Sequence, residues 1–592
     1  MVYQEKSPAL ARGLVLAALA FAALTSAPAT AQEGAVRYNV EIDAPKELRE
    51  LLREGLQLER WQSDAQMTPE LLRRLADEAV AEATQAAAAQ GYFSARVSYA
   101  LDRDTTPWRI QLHVDPGERT SVGAVDIQFS GPVLSDSDPK AAALLARVRK
   151  EWLLRPGMPF TQAAWEDAKR DAARKLSSWR YAAARITASR AEVDPKALSA
   201  RLSITLESGP AYRIGAVQVR GNRRYSDRLI ENLNPTRPGD TYDRQELALY
   251  VQRLMQTGYF ASARVDAMTD GAQTEAAPLQ ATVIEGSTQQ LETGLSFNTD
   301  VGPRLELNYR DVDVKDTAWR WRNQFRFDGE TQEARTDIDT PPRAGATWFN
   351  LFGSAKHTTV QNEENTIMST GLSYNWAGAG APSSLGVVAT FEEQRLPDTA
   401  PDHRSAVFFG FRKGFRNTDD LILPRRGFFG NITAGGAPAA LATQQFARFT
   451  GAATALFPLG RSDDLTLRTE AGVVVAPTRE GIPSSYLFRT GGDQTVRGYA
   501  FESLGVQRGT AVVGGRYLLI GSAEVTHWVT ETWGLAVFAD AGNAWDDGPY
   551  EPVLGTGVGA RLRTPIGPVR VDVAYGEETK AWRLHFSIGF VF

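Results

Sequence analysis

From about residue 287 to its end at Phe592 this chain carries no helical period. Apolar side chains instead alternate with polar ones: Leu305, Leu307 and Tyr309, then Trp319, Trp321, Phe325 and Phe327, then Val407, Phe409 and Phe411, then Val569, Val571, Val573 and Tyr575. A period of two sends successive side chains to opposite faces, so each strand presents one face to an apolar medium and the other to a polar one. Glycine-, proline- and Asn/Asp-rich turns separate the segments, and aromatic residues recur near their ends, where a girdle at a membrane interface would sit. At roughly 19 residues per strand plus connection, the segment makes about 16 antiparallel strands, within the range of transmembrane barrels.

A soluble all-β domain would alternate too, and the end of the chain tells against it. The run from His585 to Phe592 places Phe586, Phe590 and Phe592 on one face, with Gly589 between them, and stops on an aromatic residue. At the other end, Lys6 and Arg12 precede an apolar run over 13–24 that is too short to span a bilayer, and Ala29-Thr30-Ala31 offers a small-x-small cleavage site. Residues 1–31 are therefore expected to be a signal peptide, with the mature chain beginning at Gln32.

Composition removes whole classes of function. A net charge of −5 gives no basic surface for nucleic acid, and the absence of cysteine excludes disulfides, thiolate metal sites and lipid attachment. There are five histidines and no P-loop, no G-x-S-x-G elbow and no H-E-x-x-H, so no catalytic centre, metal or cofactor is expected. Gly555-Thr556-Gly557-Val558-Gly559 is not followed by a helix; small residues in a strand there suit a close approach of loop and wall.

Between residues 36 and 286 the pattern is mixed and repeats. Tyr92-Phe93-Ser94-Ala95-Arg96-Val97, Tyr181-Ala182-Ala183-Ala184-Arg185-Ile186 and Tyr259-Phe260-Ala261-Ser262-Ala263-Arg264-Val265 are variants of one phrase at a domain-sized spacing. Each follows an amphipathic helix and opens a strand. Thr68 and Pro69 read as N-cap and N1 of a helix with Leu71, Leu72, Leu75 and Ala79 on one face; Asp243 and Glu246 make a capping-box pattern ahead of Leu247, Val251 and Leu254. A second strand and a turn follow each phrase, so the order is β-α-α-β-β three times, over 32–118, 119–209 and 210–286. The repeated tyrosines and glycines are read as core and turn residues of the module.

One loop carries the strongest functional signal. Residues 490–502, TGGDQTVRGYAFE, set Val496, Arg497, Gly498 and Tyr499 in a glycine-rich stretch between two strand-like segments. The loop resembles the VRG(Y/F) loop of the superfamily of outer-membrane assembly and secretion proteins that includes the BamA, TamA and two-partner-secretion families. The three repeats resemble its polypeptide-transport-associated (POTRA) domains, and the final phenylalanines resemble its C-terminal outer-membrane signal. The resemblance implies an α+β array of three POTRA domains in the periplasm of a Gram-negative bacterium and a barrel over 287–592 in the outer membrane. It implies that Arg497 folds back to meet Asp540, in an F-x-D-x-G strand, and Glu524 on the strand before. A charge inside a barrel needs such partners, and a guanidinium can hold a carboxylate in two-pronged fashion.

Three POTRA domains resemble the TamA family, which implies an inner-membrane-anchored TamB-like partner at the first domain, unfolded outer-membrane protein clients including autotransporters, and outer-membrane lipid around the barrel. The first and last strands, near 291–297 and 584–592, are expected to form a weak seam that opens for a client strand. A two-partner-secretion exporter of one dedicated substrate and a general BamA-like assembly factor remain open alternatives.

Overall fold

In the computed structural model the described residues are 36–592 without 65, 270–272, 378–380, 420–423, 461, 565–566 and 592. The expected signal peptide and Phe592 lie outside them. The chain forms two compact units, one ending at Ala211 and one beginning at Tyr212.

The first unit holds two modules of one design. In the first, strand Tyr38–Asp43 lies parallel to Trp108–Asp115, which pairs antiparallel with Arg96–Asp102 on its other side. Helices Lys46–Gly55 and Pro69–Ala89 cover one face, burying Leu48, Leu52, Leu72, Leu75 and Ala79 against Ile110 and Leu112 of the central strand. Thr68 Oγ1 caps the long helix by accepting from Leu71 N at 3.2 Å. Leu71, expected on the buried stripe, is only partly buried at its flank, and Ala76, Ala83 and Ala87 complete the stripe. The second module repeats the arrangement with strands Ser121–Ser130, Arg185–Asp194 and Ser199–Glu207 and helices Pro139–Lys150 and Gln162–Leu176.

The second unit opens with a third such sheet, Ile214–Arg220, Phe260–Ala267 and Ala277–Glu285, packed under helix Arg244–Gln256. Asp243 caps that helix through Gln245 N at 2.8 Å. The tyrosines of the repeated phrase do related work in different surroundings. Tyr181 is fully buried and donates to the Asp136 carboxylate, Tyr92 lies under Arg119 at 5.4 Å, and Tyr259 donates to Ala318 O at 2.6 Å. This last contact, with Asn232 Nδ2 donating to Pro342 O at 2.9 Å, fastens the third module to turns of the barrel.

Sixteen antiparallel strands close the barrel, from Gln289–Asn298 to Ala581–Val591. Alternation is plain on Trp533–Trp545, where Gly534, Ala536, Phe538 and Asp540 are buried and Leu535 and Val537 face outward. Leu291, Leu295, Phe297, Phe391 and Leu584 likewise stand exposed on the outer surface, as a lipid-facing wall requires. Closure is uneven. The first strand pairs with its other neighbour along its whole length, Gln289 opposite Asp311 to Asn298 opposite Gly302, but among the described residues it meets the last strand only from Gly294 opposite Val591 to Asn298 opposite Ser587.

Strands Asp463–Val475 and Tyr517–Trp528 pair directly, Val473 opposite Tyr517, so residues 476–516 form a side excursion from an unbroken wall. The excursion turns inward and carries its own apolar anchor. Ile482, Tyr486, Leu487 and Phe488 are buried with the wall residues Phe408, Phe446, Val474 and Leu518, and the Tyr486 ring lies 5.0 Å from both phenylalanine rings.

Candidate functional site: an inward loop clamped to the barrel wall

The strand register assembles the site. Ser522 stands opposite Asp540, Glu524 opposite Phe538, Asp540 opposite Gly555, Gly559 opposite Asp572, and Asp572 opposite His585. A polar stripe therefore crosses five neighbouring strands on the inner face, interrupted by small residues.

Arg497 enters this stripe from the loop and is 5 % exposed. Its Nε and Nη2 grip Asp540 at 2.6 and 2.9 Å, and its Nη1 donates to Glu524 at 2.7 Å and Asp572 at 3.3 Å. The Arg497 backbone N–H adds a bond to Asp540 at 3.1 Å, and Ser522 Oγ donates to the same carboxylate at 2.6 Å. Asp540, 0 % exposed, is thus surrounded by donors, which is what lets a carboxylate stay charged out of water. The guanidinium carbon also lies 3.3 Å from the centre of the Phe538 ring, a cation–π contact that a planar, weakly hydrated cation makes readily.

A second arginine balances the charge. Arg561 donates to Glu524 through Nε and Nη2 at 2.9 and 2.7 Å and to Asp572 through Nη1 at 2.5 Å. Glu524 and Asp572 each bridge the two arginines and close a ring of two cations and two anions, from which Asp540 hangs on Arg497 as a third carboxylate. Arg561 and Asp572 were not read from the sequence. Asp572 sits at the polar parity between Val571 and Val573, but that parity also describes any hydrated lumen residue.

Backbone proximity seats the loop. An added Cβ at Gly555 would come within 1.8 Å of Arg497 O, and one at Gly559 within 1.8 Å of Asp572 Oδ1. Gly498 has φ +95°, and a Cβ there would lie 2.9 Å from Gly576 N. Tyr499 is buried, donates to Leu554 O at 3.1 Å and accepts from Glu578 N at 3.1 Å, while Val496 packs in the loop's apolar cluster. A second clamp, also unread in the sequence, holds the far side: Arg489 Nη1 donates to Glu363 at 2.6 Å and Nη2 pairs with Glu502 at 2.7 Å.

The C-terminal residues lie at the seam. The Phe586 ring is 6.4 Å from that of Phe297 across it, Gly589 stands opposite Ser296, and Phe590 stands opposite Leu295. Phe592 falls outside the described residues.

Repeated sheet-and-helix modules leading into a sixteen-stranded barrel with an inward, arginine-clamped loop define a class of outer-membrane proteins that handle other polypeptides. The Omp85 superfamily domain matches residues 284–592, more than half the chain, and the chain belongs to that family. The surface antigen variable number repeat, a POTRA family, matches residues 212–286, and the POTRA domain described as TamA domain 1 matches residues 39–116. The chain is similar to the outer membrane protein assembly factor BamA of Neisseria meningitidis serogroup B, 22% identical over 590 residues that cover 85% of this chain and 71% of that protein. Its fold is similar to that of BamA from Haemophilus ducreyi lacking POTRA domains 1-3, with TM-score 0.52 and 12% identity over 80% of this chain and 100% of that one. A solved structure of CdiB from Acinetobacter baumannii matches with TM-score 0.46 and 15% identity over 80% of this chain and 91% of that one.

Proposed function

We propose that this protein is an outer-membrane assembly and translocation factor of the TamA type, with its POTRA modules in the periplasm of a Gram-negative cell. In this reading it helps insert or export autotransporters and other outer-membrane proteins. The observation that carries the proposal is the short seam. Among the described residues, 289–292 of the first strand have a pairing partner only on the side of 308–311, which leaves a row of backbone donors and acceptors at the barrel edge. An extended client strand satisfies such an edge by main-chain pairing and needs no particular sequence. No covalent step is involved. The clamp at Arg497 keeps the wall on the C-terminal side of the seam in shape while the edge is engaged.

The match of residues 39–116 to the first TamA POTRA domain supports the narrower assignment. In this reading an envelope-spanning, TamB-like partner docks on the first module, where Glu47, Glu50, Leu51 and Glu54 form an exposed face of helix Lys46–Gly55. Photocrosslinking in cells from those four positions, with adducts identified by mass, tests it. One large partner anchored in the inner membrane is the expected result. A secreted substrate would move the assignment to a dedicated exporter, and small lipoproteins would move it to a general BamA-like assembly factor.

A further inference from the structure

The strands that ring Arg497 all lie on the C-terminal side of the seam, so its ion pairs alone would leave the loop attached to one side. Two other contacts carry the loop across. Asp493 N donates to Asp300 Oδ2 at 2.7 Å, and Asp300 belongs to the turn that follows the first strand. Five residues further along the loop, Gly498 N donates to His585 Nε2 at 3.0 Å, and His585 belongs to the last strand. His585 Nδ1 in turn faces Asp300 Oδ1 at 3.5 Å without a hydrogen bond between them, so the circuit from Asp300 to His585 runs through the loop backbone.

Neither side chain is a hydrated surface group: Asp300 is 7% and His585 3% exposed. The turn holding Asp300 is fixed by Asn298 Oδ1, which accepts from Asp300 N at 3.0 Å and Val301 N at 2.9 Å. The loop is shaped to reach it: Gly492 has φ +106°, and a Cβ there would stand 2.6 Å from Asp300 Oδ2. Beyond the paired strand residues, Thr299 N donates to Phe586 O and Phe586 N to Thr299 Oγ1, both at 3.2 Å, so the staple lies beside the last rungs of the seam.

We propose that Asp300 and His585 are positioning residues of the seam. Together with the backbone amides of Asp493 and Gly498 they staple the first strand to the last through the loop, so that seating of the loop and closure of the seam form one linked equilibrium. The meaning of this coupling for client handling rests on the function proposed above; the coupling itself does not. Release of the loop also releases the staple, whereas removal of the staple leaves Arg497 gripping Asp540.

Hydrogen exchange of the full-length protein in lipid nanodiscs, read by mass spectrometry over 294–298 and 587–591, tests the staple. Loss of a buried hydrogen bond to a charged or imidazole partner should speed seam exchange about tenfold in Asp300→Ala and in His585→Ala. Peptides around Arg497 should change much less, and the double variant should exceed neither single by much, since both cut one circuit. Asp300→Asn, nearly isosteric, and Gly492→Ala, which acts from the loop, serve if an alanine variant fails to fold. Unchanged seam exchange in variants that fold overturns the proposal. Client insertion is scored in the same variants: a loosened seam with unaltered insertion refutes the functional reading and leaves the staple standing.

Discussion

Removal of the Arg497 side chain is the most direct perturbation of the clamp. Arg497→Ala keeps the backbone bond to Asp540 and the Ser522 bond, but strips that fully buried carboxylate of its two-pronged cation at 2.6 and 2.9 Å. Glu524 and Asp572 keep Arg561 as their cation, whereas Asp540 loses its ion pair with Arg497. Breaking a buried ion pair by deleting one partner costs about 3–5 kcal/mol, because the other charge stays buried. At about 1.4 kcal/mol per tenfold, the docked-to-free ratio of the loop should fall by roughly two to three and a half orders of magnitude. Arg497→Lys keeps the charge and loses the fork and the stacking on Phe538, so its loss should be about one to two orders. The assay is nicking of residues 476–516 by chymotrypsin in the full-length protein in nanodiscs, whose rate follows the open population when closing is fast. The expected order of rates is wild type, then Lys, then Ala. Nicking of Arg497→Ala within threefold of wild type would refute the account, because the loop would then be held by its apolar anchor and its other bonds without help from the Arg497 ion pairs.

Three further outcomes follow from the same structure. Gly555→Ala should force the loop off the wall, since the new methyl meets Arg497 O at 1.8 Å; overpacking of this kind costs about 1–3 kcal/mol and should raise nicking accordingly, while Gly521→Ala, with nothing within 4 Å, should not. Tyr181→Phe removes the donor to Asp136 in the second module and should destabilise it by about 1.5–3 kcal/mol, read as faster exchange across Ser199–Glu207. Glu285 makes the third module acid-sensitive: burial pushes its carboxyl pKa up, but bonds from the backbone amides of Arg223, Tyr225 and Arg224 outweigh this and hold it below the usual carboxylate value. Because the folded value is depressed, its stabilisation is complete above about pH 4.3 and is lost as pH falls toward the folded value, so protection of those three amides should fade there in wild type and stay flat with pH in Glu285→Gln.

The sequence was most informative where a period had to be kept over many residues. Alternation around Val569, Val571 and Val573 is enforced by lipid on one side and water on the other, so the barrel and its strand number could be read directly. The β-α-α-β-β order was legible because helix caps such as Thr68 and Asp243 announce themselves locally. Asp540 and Glu524 could be named beside Arg497 because short motifs surround them. Arg561, Asp572, His585 and Asp300 could not, since each is one polar residue at a lumen-facing position, and only the shear of the barrel brings 300 beside 585 and 493. Arg489 and Glu363 escaped for the same reason, with more than a hundred residues between them.

The two ways of holding the loop do different work. Its apolar anchor, Tyr486 and Phe488 against Phe408 and Phe446, supplies burial, which is favourable but tolerates small shifts because hydrophobic contact is not directional. The ionic ring adds little net stability, since the cost of drying five charges offsets most of their attraction. What it adds is position: a guanidinium fork on Asp540 fits at one place and one angle, and every donor and acceptor in the ring is spoken for. A loop placed with that accuracy can set Gly498 against His585 and Asp493 against Asp300 on opposite sides of the seam, which a greasy anchor could not do. Replacing Arg497 and Asp540 together with apolar residues of matching volume should therefore leave the loop docked and resistant to protease, yet loosen exchange at 294–298 and 587–591. Loss of docking together with loss of the seam would mean instead that the ring itself holds the loop.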